Sequence, residues 1–211
     1  MAFVVFLGVL IIMGSLGYGM YHRARVARRQ RLIEAFTFPK MIPEKVVGKY
    51  PHLDENGVER VMAGLREYFH LCNLAGPRMV AMPSQVVDVA WHEFILYTRE
   101  YELFCKKALG RFLHHTPAEA MSSPTVAQKG IKTAWKLACH RENIAPKAPR
   151  ALPLLFALDA QLNIADGFRY ELDCKKAGTN GYCAGHIGCG SGCGGGCSGD
   201  SGGCGSGCGG D

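Results

Sequence analysis

Five residues able to hold a metal or move a proton fall within one stretch, Pro83–Pro117: Asp88, His92, Cys105, His114 and His115. Asp88 and His92 are four residues apart. On a helix that spacing sets them on one face, where the carboxylate orients the imidazole and raises its basicity. An imidazole held in this way is a metal ligand or a general base, and His114 or His115 would complete the site. Two uses follow: a metal site at His92 and His114, or an acid–base or metal-assisted enzyme using Asp88, His92 and His115. The reading the sequence favours for this pair is a local hydrogen bond that locks a helix against its neighbours. Histidines without a fixed sequence spacing are weak evidence for a metal or catalytic site. Cys105 lies among apolar residues and reads as a small buried hydrophobe. The chain has no nucleophile elbow, no phosphate loop, no H-E-x-x-H and no paired C-x-x-C. Trp91-His92-Glu93 lacks the second histidine that a zincin helix needs. These motifs favour a binding module over an enzyme.

A second group of ligand types lies at the C-terminus: Cys183, His186, Cys189, Cys193, Cys197, Cys204 and Cys208. Thiolates are favoured ligands for zinc or copper(I), and glycine lets a backbone wrap an ion without steric penalty. The cysteine gaps are five, three, three, six and three residues. Such gaps in a flexible chain do not preset tetrahedral geometry. A low-complexity tail with modified, cross-linked or merely tolerated cysteines is the alternative, and a metal store or carrier built on the tail is the corresponding function.

The element that must position the first group is a helix, expected over Ser84–Leu109 and expected to be the most buried. Ser84 is its N-cap and Gly110 its stop, with Lys106 and Lys107 suited to the negative end of the dipole. Val87, Trp91, Phe94, Thr98, Tyr101, Cys105 and Ala108 recur at four- and three-residue steps, which makes one inward face. Thr116-Pro117 then opens a further helix at PAEAM.

The run MPSQVVDVAWHEFILYTREY followed by FCKKALGRFLHHTPAEAM resembles the glycine-rich-domain-containing protein family. Its bacterial members, and plant relatives more loosely, carry a similar Asp-x-x-Trp-His helix and Gly-x-Phe-x-His-His turn. The likeness covers about Pro43 to Met121, and the Gly/Cys-rich C-terminus matches the layout. The resemblance implies a helical domain and carries no mechanism across.

The other helices follow from their own signals. Asp54 caps a helix to about Ala75, with Val58, Met62, Leu65, Phe69 and Cys72 inward and His70 bordering that stripe as a structural residue. Pro43 begins a short helix that Pro51 ends. Ser123-Pro124 begins another, to about Arg141, with Val126, Ile131, Ala134, Trp135 and Ala138 inward. LLFALDAQLNI is a last short helix, with Leu155, Leu158 and Leu162 periodic, and FRYELDC is an extended piece that closes the domain.

The ends differ in kind. Ala2–Tyr21 carries no charge over twenty residues, about 30 Å of helix, the thickness of a bilayer core. Arg23, Arg25, Arg28, Arg29 and Arg31 follow it, and no basic residue precedes it. By the positive-inside rule the N-terminus is then outside, and everything after the arginines is cytoplasmic. At the other end, sixteen of the thirty-four residues from Gly178 to Asp211 are glycine, too few side chains to offset the entropy of ordering the segment. The expected layout is a transmembrane helix at 2–21, a basic segment at 22–31, a helical domain at 32–177 and a disordered tail at 178–211. The fold expected is all-α, a compact four- to five-helix domain. Six of the ten cysteines crowd into the tail, a distribution that suits a reduced compartment better than a disulfide framework. A formal charge of +6, much of it in one N-terminal cluster, gives no nucleic-acid footprint. The partners expected are the membrane and a protein. The function expected is a single-pass, membrane-anchored helical binding module at the bacterial inner membrane.

Overall fold

The helix begun by Asp54 is the one the others pack around. In the computed structural model, which describes residues 2–116, 124–172, 182–184 and 187, it is α3, Glu55–Ala75. Asp54 accepts from the Gly57 N–H at 2.7 Å, and Gly76 ends the helix at φ +62°. Val61, Leu65, Tyr68, Phe69, Leu71 and Cys72 are all buried, so α3 is covered on several sides and not along one stripe. Val58 and Met62 are only partly buried at its edge. Gly64 marks the closest approach: a Cβ there would stand 2.8 Å from Val87 and 3.1 Å from Leu158. The helix expected over Ser84–Leu109 is therefore not the most buried part of the domain, because α3 and the helix Leu154–Gln161 each bury a larger share of their residues.

That expected helix is three pieces. Ser84 does cap α4, Gln85–Leu96. Tyr97 leaves helical geometry at ψ 57°, and α5 restarts at Thr98–Phe104. A π-helical turn, Cys105–Leu109, follows and closes with the Gly110 N–H on the Cys105 carbonyl at 2.9 Å. The break at Tyr97 and the extra residue in the π turn change the helical phase. Val87, Trp91, Phe94, Tyr101, Cys105 and Ala108 still point inward, while Thr98 is exposed. Gly110 is left-handed at φ +71°, as a helix stop requires.

Around α3 lie α1 (Ala2–Glu34), α2 (Met41–Lys49), α6 (Pro124–Arg141) and α7 (Leu154–Gln161). α1 is continuous through the expected membrane, basic and domain segments. Its last turns belong to the domain: Ile33 is fully buried, Asn73 donates to the Val26 carbonyl at 3.2 Å, and Arg66 donates to the carbonyls of Ile33, Glu34 and Phe36. Earlier in α1, Phe6, Ile11, Met13 and Leu16 are exposed. Among the described residues no helix is long and apolar enough to cross a membrane. The expected span lies partly outside them, because the side chains of 2–5 and 9, which open the apolar run, are not described.

The C-terminal part of the domain closes with two short parallel strands, β1 (Tyr170–Glu171) and β2 (Tyr182–Cys183), in register Tyr170↔Tyr182 and Glu171↔Cys183. Cys183, Ala184 and Ile187 are buried. The expected tail boundary at Gly178 therefore needs moving: the chain is still packed on the domain at Ile187. The helix expected at PAEAM, the inward face of Val126 and the rest of the tail fall outside the described residues.

Candidate metal centre and its cleft

Asp159 sets the position of the helix that carries Asp88 and His92. It is a buried carboxylate on α7, and it accepts from the Ser84 hydroxyl at 2.7 Å, the Gln85 N–H at 2.7 Å and the Val86 N–H at 3.2 Å. A negative charge on these free N–H groups complements the helix dipole as well as satisfying the donors. The Phe168 N–H donates to the same carboxylate at 2.8 Å. The sequence reading passed over Asp159, although a lone charged residue inside the apolar run LLFALDAQ was a usable signal.

One turn into α4, Asp88 and His92 meet as their spacing predicts. His92 Nδ1 lies 2.9 Å from the Asp88 backbone carbonyl and 3.3 Å from its Oδ2. Donation from Nδ1 to that carbonyl fixes the tautomer and leaves Nε2 as the free lone pair. The third member comes from the chain after the π turn: His115 Nε2 stands 3.2 Å from Asp88 Oδ1. The His115 ring lies 4.0 Å from the His92 ring and 4.7 Å from that of Trp91, centroid to centroid. One ligand atom each from Asp88, His92 and His115 fall within 4.8 Å of one another.

His114 is not in this group. It is exposed and packs on Phe112 with ring centroids 4.8 Å apart. Of the two adjacent histidines, only His115 turns toward α4, so the expected pairing of His92 with His114 is replaced by His92 with His115.

The segment bearing His115 is held by a relay that the sequence did not announce. Trp91 Nε1 donates to the Tyr101 hydroxyl at 3.1 Å, and Tyr101 donates to the Leu113 carbonyl at 2.5 Å, two residues before His115. All three residues are buried. Burial raises the pKa of Tyr101 well above that of a free phenol, so it stays a donor. Beneath it the thiols are inert for the same reason. Burial pushes Cys72 up to about 12 and raises Cys105, so neither supplies a thiolate near neutral pH. Cys105 is the buried hydrophobe its position suggested.

The three groups open onto a cleft of about 630 Å³, a size suited to a small-molecule ligand. Trp91, Met79, Met82 and Phe168 supply apolar wall, and Arg78 and Arg111 line it as well. A larger groove of about 730 Å³ runs between α2 and α3, but no histidine or cysteine lines it, so the chemistry sits in the smaller one.

Zinc ligands at about 2.0–2.2 Å stand about 3.4 Å apart in a tetrahedral shell, so ligand atoms as much as 4.8 Å apart would have to close by about 1.4 Å. Two imidazoles and one carboxylate suit zinc or another divalent first-row ion and leave coordination positions open. Copper(I) prefers sulfur, and none of these three side chains supplies it. Of the tail ligands, His186, Cys189, Cys193, Cys197, Cys204 and Cys208 lie outside the described residues. Cys183 is disulfide-bonded, and in that state it is not a thiolate ligand. This corrects the expectation of a reduced cysteine at that position.

No curated protein and no solved structure matches the chain. A family model does match, over residues 28–190. That range runs from the domain end of α1, through the Asp88–His92–His115 group, to just beyond β2. The chain belongs to the UCP032817-like family.

Proposed function

We propose that this protein is a membrane-anchored binding module whose ligand site is a divalent-metal centre at Asp88, His92 and His115. The observation that carries the metal site is the convergence of these three side chains, from α4 and from a segment 23 to 27 residues later, at the mouth of a cleft. Two buried hydrogen-bonded systems, at Asp159 and at Tyr101, hold the contributing segments, as a binding site needs. The anchor is supported by the exposed apolar residues around the first half of α1 and by the arginines that follow them. The arginine cluster favours an N-terminus outside and a cytoplasmic domain. The disulfide at Cys183 pulls the other way, because cytosolic disulfides are rare. The arginines act on insertion itself, so the orientation proposed follows them. The layout also fits the glycine-rich-domain-containing proteins that the sequence resembles.

Titration of the purified full-length protein with zinc tests the site. Wild type should bind one ion at the domain, and His92→Ala and His115→Ala should each weaken binding by about tenfold or more. His114→Ala should leave it unchanged. Equal affinity in wild type and the His92 and His115 variants would exclude this site.

A second reading, a metal-dependent enzyme, is favoured by one observation: two histidines and a carboxylate leave positions open toward the cleft, the ligand pattern of catalytic rather than structural zinc.

A further inference from the structure

Arg78 and Arg111, from separate segments of the chain, both line the cleft. Arg78 Nε donates to the Ala75 carbonyl at 3.1 Å, and Arg111 Nε donates to the Gly76 carbonyl at 3.0 Å. Ala75 and Gly76 are successive residues, so both guanidiniums are tied to the C-terminal end of α3. Each spends its Nε on the backbone and keeps its terminal N–H groups. Among the described residues no carboxylate pairs with either arginine. Both line the cleft that Asp88, His92 and His115 open onto, and among the described residues Asp88 is the only acidic one lining it. Two guanidiniums on one cleft, with terminal N–H groups that no described carboxylate takes up, favour an anion there.

We infer that the cleft binds a phosphate group, with Arg78 and Arg111 as its forks and the Asp88–His92–His115 centre as a further contact. Planar guanidiniums offer paired donors that match phosphate oxygens. Two forks and a metal make three contacts, which suits the three terminal oxygens of a phosphate monoester better than the two of a carboxylate. Met79, Met82, Trp91 and Phe168 give the remainder of such a ligand an apolar wall. The metal contact rests on the function proposed above; the arginine contacts do not.

The test is calorimetric titration of full-length protein with inorganic phosphate, in metal-free and zinc-loaded form, against acetate as the carboxylate probe. Phosphate should bind the metal-free protein, and Arg78→Gln and Arg111→Gln should each weaken it by about tenfold or more. Zinc should tighten it in wild type but not in His115→Ala. Arg111 is half-buried, and if its variant fails to fold, the exposed Arg78 carries the test alone. Phosphate binding with no effect of zinc upholds the arginine site and removes the metal contact. No phosphate binding in either form, binding indifferent to Arg78→Gln, or acetate binding as tightly as phosphate would each overturn the assignment.

Discussion

The Ser84 hydroxyl donates to Asp159 Oδ1 at 2.7 Å, and both residues are buried. The pair joins α7 to the N-cap of the helix that carries Asp88 and His92. Asp159→Ala would leave the Ser84 hydroxyl and the Gln85, Val86 and Phe168 N–H groups without their acceptor. Unsatisfied buried donors cost about 1–3 kcal/mol each, so a loss of about 3 kcal/mol or more is expected. Urea denaturation measures it, and a loss under about 1 kcal/mol would show that water replaces the carboxylate freely.

Trp91 is 3% exposed and packs on Tyr68 with ring centroids 4.9 Å apart. Trp91→Ala should cost about 3–5 kcal/mol, the usual range for a large aromatic truncated in a core. Chemical denaturation reads this directly. A cost below about 1 kcal/mol would place the residue on the surface and reverse the inward face of α4.

Tyr101→Phe separates positioning from packing. The ring stays, while the links from Trp91 Nε1 and to the Leu113 carbonyl are lost. Stability should fall by about 1–3 kcal/mol. Zinc affinity should fall too, although Tyr101 is no ligand, because the segment carrying His115 loses its anchor. Unchanged affinity in a folded Tyr101→Phe protein would mean that packing alone holds His115.

His70 is buried on α3, and its Nε2 lies 3.0 Å from Glu34 Oε2 on α1. Burial lowers its pKa below the ordinary histidine value, despite the opposing pull of Glu34. The folded protein then binds fewer protons than the unfolded chain just below pH 6.5, so stability is full above that pH and falls as pH drops through it. Glu34 is held below the usual carboxylate range by its bond to His70, but it is exposed, and its contribution lies at lower pH and is screened. Denaturation midpoints should decline from pH 7 to pH 5 in wild type and flatten in His70→Gln. A wild-type profile with no slope in that window would contradict a neutral buried His70.

A reporter active only in the cytoplasm, fused after Asp211, should be active in cells. The motive is the arginine cluster that follows an uncharged stretch of twenty residues. Activity from a periplasm-only reporter at the same point would reverse the orientation and agree with the disulfide at Cys183.

The sequence by itself determined the helices and most of their ends, because caps and stops are local. Asp54, Ser84, Gly76 and Gly110 act through their own hydroxyl, carboxylate or left-handed backbone on residues within one turn. It also determined that Asp88 and His92 share a face, since one helical turn fixes that. Only the tertiary structure decided which of two adjacent histidines joins them. His114 and His115 are equivalent in spacing, and the choice is made by Trp91, Tyr101 and Leu113 holding the chain after the π turn. It decided too that α4 and α5 are separate, because the break at Tyr97 brings Tyr101 to Trp91, a contact no periodicity encodes. Asp159 and the Arg78–Arg111 pair belong to the same class. Ser84 lies 75 residues from Asp159, and Arg78 and Arg111 lie 33 residues apart, so their meeting appears only once the helices have packed.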